Sequence, residues 1–88
     1  MRAAVITEPG GPEVLQIQDV ADPSFGAEEV LVAVHASALN RLDLIQRRGR
    51  YPIPFGVRAD IPGVEMAGVI EAVGERVQGW KPGDRVMA

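Results

Sequence analysis

Turn formers punctuate this chain so closely that no regular element in it can be long. Glu8-Pro9-Gly10-Gly11-Pro12, Asp22-Pro23-Ser24-Phe25-Gly26 and Gly79-Trp80-Lys81-Pro82-Gly83-Asp84 each combine proline with glycine. Proline fixes φ and lacks an N–H, while glycine accepts the backbone angles of tight turns. Between these clusters lie short apolar runs, and short strands joined by such turns imply a mainly β fold. At 88 residues the chain makes at most one small domain. The apolar fraction of 47% suffices for a core, and with aromatics at 5% that core must be aliphatic.

The runs themselves are readable. Arg2 to Thr7 is a strand, and Val14-Leu15-Gln16-Ile17-Gln18-Asp19-Val20 alternates apolar and polar as a half-buried strand does, so the two form a hairpin. Glu29 to Ala36 is the central strand, with Val30, Val32 and Val34 on one face and Leu31, Ala33 and His35 on the other. The period then changes. Asn40 suits an N-cap, Asp43 the third helical position, and Leu39 a staple onto Leu44. Leu42 and Ile45 share a face, and Gly49 suits the C-terminal cap. Two turns of helix are predicted.

Arg50 to Pro62 is a long proline-containing loop, of the kind that carries function. Val64 to Val73 is a strand in which Gly68 marks a bulge or a close backbone approach, and Arg85 to Ala88 begins another strand.

Several function classes drop out. The net charge of −3 lacks the basic excess of a nucleic-acid binder. No cysteine is present, and one histidine remains, so neither a disulfide framework nor a Cys/His metal site is expected. No apolar run approaches the roughly 20 residues of a membrane span, and Met1 to Glu8 is interrupted by charge too early for a signal peptide. A cytoplasmic protein with no membrane or nucleic-acid partner is the expectation. No G-x-G-x-x-G occurs, so no dinucleotide fingerprint lies in these residues.

Within Ile61-Pro62-Gly63-Val64-Glu65-Met66-Ala67-Gly68, Glu65 is a carboxylate in an otherwise apolar run, where burial would demand a partner. The ordered series P-G-x-E-x-x-G-x-x-x-x-x-G-x-x-V over Pro62 to Val77, followed by Gly83-Asp84-Arg85-Val86, resembles the N-terminal half of a medium-chain dehydrogenase/reductase. Within that superfamily the chain is most similar to the zinc-independent, zeta-crystallin-like quinone oxidoreductases.

The resemblance implies a partial GroES-like twisted β-barrel with one short helix after the central strand. Residues 1–88 would be the N-terminal part of the catalytic domain, in a fragmentary sequence lacking the Rossmann cofactor domain. It further implies reduction of quinones, or of activated carbonyl and enone compounds, by hydride from NADPH or NADH, in a homodimer when full length. Zinc alcohol dehydrogenases carry a histidine ligand where Val64 stands and a cysteine ligand where Asn40 stands. Neither residue here suits zinc, and the resemblance implies a zinc-free site.

Asn40 then has two readings: donor to a developing oxyanion and cofactor contact, or helix cap. Asp43 shapes the site or caps the helix, and Glu65 is a structural carboxylate meeting an arginine or backbone N–H groups. Tyr51 stacks on a planar quinone or donates to its carbonyl, or else anchors the Tyr51-Pro52-Ile53-Pro54 loop. Arg41 reaches the cofactor, while Arg47, Arg48, Arg50 and Arg58 read as a solvated basic face. Trp80 reads as a packing anchor. The rival from another class is a stand-alone GroES-like binding module, or co-chaperonin, without catalysis.

Overall fold

The computed structural model describes residues 1–88 and is mainly β, with five strands, one 3-10 turn and one α-helix. The backbone forms two compact units, Met1–Ala21 with Leu39–Val64, and Asp22–Ala38 with Glu65–Ala88. No helix is long and apolar enough to cross a membrane.

In the first unit, β1 (Arg2–Ile6) pairs antiparallel with β2 (Leu15–Asp19) in the expected hairpin, from Arg2 opposite Asp19 to Ile6 opposite Leu15. The Pro-Gly-Gly-Pro cluster forms the connection and ends in a 3-10 turn at Pro12–Val14. Thr7 closes it twice, donating its N–H (3.0 Å) and its Oγ1 hydroxyl (3.2 Å) to the Val14 carbonyl. Val5, Ile6 and Val14 are the buried apolar residues of this unit. The half-buried reading of β2 fails: all five of its residues are exposed, Ile17 at 67%. Alternation identified a strand, but nothing in its unit covers the apolar side.

Helix α1 (Arg41–Arg47) occupies the span expected of it. Its end is a Schellman motif: Gly49 at φ +74° donates to the Gln46 carbonyl (2.9 Å), and Arg50 N–H reaches back to Ile45 (3.0 Å). The Leu39 staple does not form, for Leu39 is 96% exposed. The helix entry is fixed by the capping box instead.

In the second unit, β3 (Val30–Ser37), β4 (Met66–Val73) and β5 (Arg85–Met87) form an antiparallel sheet in the order β3-β4-β5. The β1-β2 and β3-β4-β5 sheets are separate, so no closed barrel forms. The β3-β4 ladder is bulged twice. Glu71 is extra on β4 between the Leu31–Ala72 and Val32–Ile70 pairs, and His35 is extra on β3 between the Val34–Gly68 and Ala36–Ala67 pairs. The simple two-face reading of β3 therefore breaks at His35, and the strand is half-buried only from Val30 to Ala33. Ile70, at 2% exposure, is the core of this sheet. Trp80 anchors little, since it is 55% exposed.

Gly68 is a close-approach glycine, as its place in the sequence suggests. A Cβ there would overlap the Ala33 carbonyl oxygen and press on Val32 Cγ1 at 2.9 Å. Gly79, by contrast, faces open space at φ +82°. Gly68→Ala is expected to cost about 2 kcal/mol or more through overpacking, and Gly79→Ala about 1 kcal/mol through backbone strain. Urea unfolding midpoints of the two variants should rank in that order.

Candidate functional site

The residues singled out by sequence divide between the two ends of α1 and the start of β4. At the N-terminal end, Asn40 is the N-cap in extended backbone (φ −127°, ψ 156°), and with Asp43 it forms a capping box. Asp43 Oδ2 accepts the Asn40 N–H at 2.8 Å, while the Asp43 N–H donates to the Asn40 carbonyl at 3.0 Å. Asp43 is thus the capping acid of the helix. Its other oxygen, Oδ1, is buried with no hydrogen-bond partner. Such an acceptor costs stability unless an N–H or O–H reaches it. Arg41 follows at the first helical position, exposed.

Beyond the C-terminal end, Tyr51 is half-buried in the wall of a cavity of about 300 Å³. Ile6, Pro9, Ile53 and Ala59 give that cavity apolar surface, and Glu8 and Asp60 bring carboxylates to it. No hydrogen bond within the chain engages the Tyr51 hydroxyl. A half-buried phenol with an unspent donor, set in a mostly apolar wall, suits a planar ligand bearing a carbonyl oxygen.

Two side chains hold this region together: Gln46, which the sequence did not single out, and Arg47, which it assigned to a solvated basic face. Gln46 and Arg47 are the buried residues of α1, although both are polar. Gln46 Nε2 donates to the carbonyls of Ala59 at 3.0 Å and Ile61 at 3.4 Å. Arg47 Nε donates to the Gly10 carbonyl at 3.1 Å, and the Arg47 carbonyl accepts the Gly10 N–H at 3.0 Å. A hydrogen bond from a charged donor contributes about 1.5–3 kcal/mol, so Arg47 braces the Pro-Gly-Gly-Pro turn instead of belonging to a solvated face. A signal existed: Gln46 falls on the same helical stripe as Leu42, Ile45 and Gly49. A polar residue on the apolar stripe is there to make a bond.

Arg58 also leaves the basic face, forking onto Asp60 through Nε (2.8 Å) and Nη2 (2.6 Å). The backbone carbonyl of Asp60 accepts the Ile6 N–H at 2.7 Å, fixing the loop to β1.

Glu65 belongs to the second unit and lies just before β4. It is exposed, in a shallow cavity with Ser37, Met66 and Met87, so the burial cost inferred from its apolar neighbours does not arise. No three His, Cys, Asp or Glu side chains cluster closely enough to hold a metal. Val64 offers no lone pair, and the donor set of this chain does not fit zinc.

Comparison with known proteins agrees with this architecture. Residues 26–88 match the alcohol dehydrogenase GroES-like domain. The chain is 46% identical to the quinone oxidoreductase of Lama guanicoe over 98% of its own length and 26% of that protein's. Among solved structures, it superposes with a TM-score of 0.87 and 41% identity on a quinone oxidoreductase of Pseudomonas syringae pv. Tomato, covering 98% of this chain and 26% of that one. Escherichia coli quinone oxidoreductase complexed with NADPH gives the same score at 33% identity, covering 99% and 26%. The chain thus spans about a quarter of the length of the curated relatives it matches.

The Arg58 fork holds the Asp60 carboxyl below its usual range. A depressed folded pKa means that the pair's contribution is complete above the ordinary aspartate value and fades as pH falls through the folded one. A carboxyl-carbon NMR titration should place the Asp60 midpoint below that of an unpaired aspartate. Arg58→Ala should return it to the ordinary range.

Proposed function

Because the chain belongs to the alcohol dehydrogenase GroES-like domain family, we propose that it is the N-terminal part of the catalytic domain of an NAD(P)H-dependent, zinc-independent oxidoreductase. Its substrates would be quinones or activated carbonyl and enone compounds. The observation that carries the reading is Tyr51, whose uncommitted phenol lines a mostly apolar cavity. Likeness to quinone oxidoreductases, one of them solved with NADPH, supports it.

The chemistry of this chain is hydrogen bonding and placement. A reduced nicotinamide, when bound, supplies the hydride. Negative charge then develops on the substrate oxygen, and without a metal it must be met by donors already aimed at it. Tyr51 O–H is such a donor, and its ring offers a face to a planar quinone. The Asn40 amide, at the other end of α1 and outside that cavity, is assigned to the cofactor side, where an amide needs no particular protonation state.

At the capping box the residues present suit a nicotinamide cofactor. Asp43 Oδ1 is an acceptor awaiting a donor, and Arg41 is an exposed cation next to Asn40. Asn40 and Arg41 would hold it, with most of the binding supplied by residues outside this chain. Glu65 takes a supporting role at the entry to β4.

The test is steady-state reduction of a benzoquinone by NADPH in the protein at the length of its relatives. Tyr51→Phe removes one donor and keeps the ring, so kcat/KM should fall by about 10²-fold, as for other single oxyanion donors, while NADPH binding is kept. Unchanged kinetics would remove Tyr51 from the site. Exhaustive dialysis against a chelator should leave turnover intact; tightly held zinc whose removal abolishes turnover would refute the metal-free reading.

A further inference from the structure

We infer that Gln46 is a positioning residue for Tyr51, acting through the loop that carries it; the inference rests on the role given to Tyr51 above. The loop from Arg50 to Pro62 is tied to α1 at both ends by neighbouring helix residues. Its start is held by the Ile45 carbonyl, which accepts the Arg50 N–H at 3.0 Å. Its end is held by Gln46 Nε2, which donates to Ala59 and Ile61. Three successive carbonyls are thereby shared out: Ala59 and Ile61 face Gln46, and Asp60 between them accepts the Ile6 N–H at 2.7 Å.

Gln46, Tyr51, Ile53, Ala59 and Asp60 all line the same cavity. The amide that fastens the far end of the loop therefore belongs to the same cavity wall as the phenol.

The chemistry selects glutamine. Two carbonyl oxygens facing one end of the side chain identify that end as the NH2, the only part of the group with donors to give. At 9% exposure no solvent replaces it freely. An aliphatic residue would fill the space but leave both carbonyls without their donor, and a carboxylate would repel them. A carboxylic acid, once protonated, has one O–H to return to Ala59, the nearer of the two.

That asymmetry supplies the test. Tyr51 is the only tyrosine in the chain, so its ring signals report the loop without ambiguity. In Gln46→Glu at neutral pH, the Ile6 amide should exchange about tenfold faster or more, as expected for local opening of the loop. The Thr7 amide, bonded to Val14 across the hairpin, should be unchanged. The Tyr51 ring signals should move toward those of a free tyrosine.

Lowering the pH should restore both signals as the introduced carboxyl protonates, with a midpoint above an ordinary glutamate because the facing carbonyls favour its neutral form. Glu8 and Asp60 line the same cavity, so the parent protein at matched pH is the control. A purely structural loss would show no such acid recovery.

In the intact NADPH-dependent enzyme with a benzoquinone, Gln46→Glu should lower kcat about tenfold or more alone, and have no added effect in a Tyr51→Phe background. Equal losses in both backgrounds, or Ile6 and Tyr51 signals indifferent to the substitution, would overturn the proposal. If the signals move and Tyr51→Phe is itself silent, the loop assignment stands and the reading of Tyr51 as donor falls.

Discussion

A chain cut so often by proline and glycine leaves carbonyls in its turns that no helix or sheet will satisfy, and the structure depends on finding donors for them. A buried backbone carbonyl without a partner costs free energy comparable to a lost hydrogen bond. Two adjacent side chains of α1 meet that demand in the first unit. Arg47 turns one way, to Gly10, and Gln46 the other, to Ala59 and Ile61. The helix is only seven residues long and buries these polar groups, not a leucine stripe. Its work is to hold two loops.

That arrangement bears on chemistry. A reaction that develops charge on an oxygen gains from donors that need not move at the moment of reaction. Tyr51 stands on a loop, which by itself is a poor platform for such a donor. Here the loop is closed onto α1 by the Schellman motif at one end and an amide clamp at the other, and laid against β1 through the Asp60 carbonyl. The Arg58–Asp60 fork adds a further, solvent-exposed link within the loop. Because it is exposed, screening keeps its contribution small.

Much of the fold was legible in the sequence because its signals are local. Turn clusters, the capping box at Asn40 and Asp43, the glycine after α1 and the tight spot at Gly68 all act through their immediate neighbours. What the sequence misjudged was burial. Ile17 and Leu39 are apolar by type yet exposed, and Gln46 and Arg47 are polar yet buried. Burial depends on what another segment brings alongside, and periodicity within one segment carries no record of it. Glu65 shows the same limit: apolar neighbours in sequence did not bury it. At the candidate site, Tyr51 and the Asn40–Asp43 box were readable as residues, whereas the clamp became visible only once residues 46, 59 and 61 were brought together.

The two irregularities in the β3-β4 ladder fall on opposite strands. Glu71 adds a residue to one strand and His35 adds one to the other, so the offset opened at the first is closed at the second. Only Val32 to Val34 run out of step with the pairing that holds at both ends of the ladder. Each extra residue nonetheless lies between two pairs that meet without it: deleting Glu71 alone leaves Ile70 opposite Val32 and Ala72 opposite Leu31, and deleting His35 alone leaves Val34 opposite Gly68 and Ala36 opposite Ala67. Among homologous chains a length change at one of these points therefore alters bend and twist locally and obliges nothing at the other: the two strands can gain and lose these residues separately.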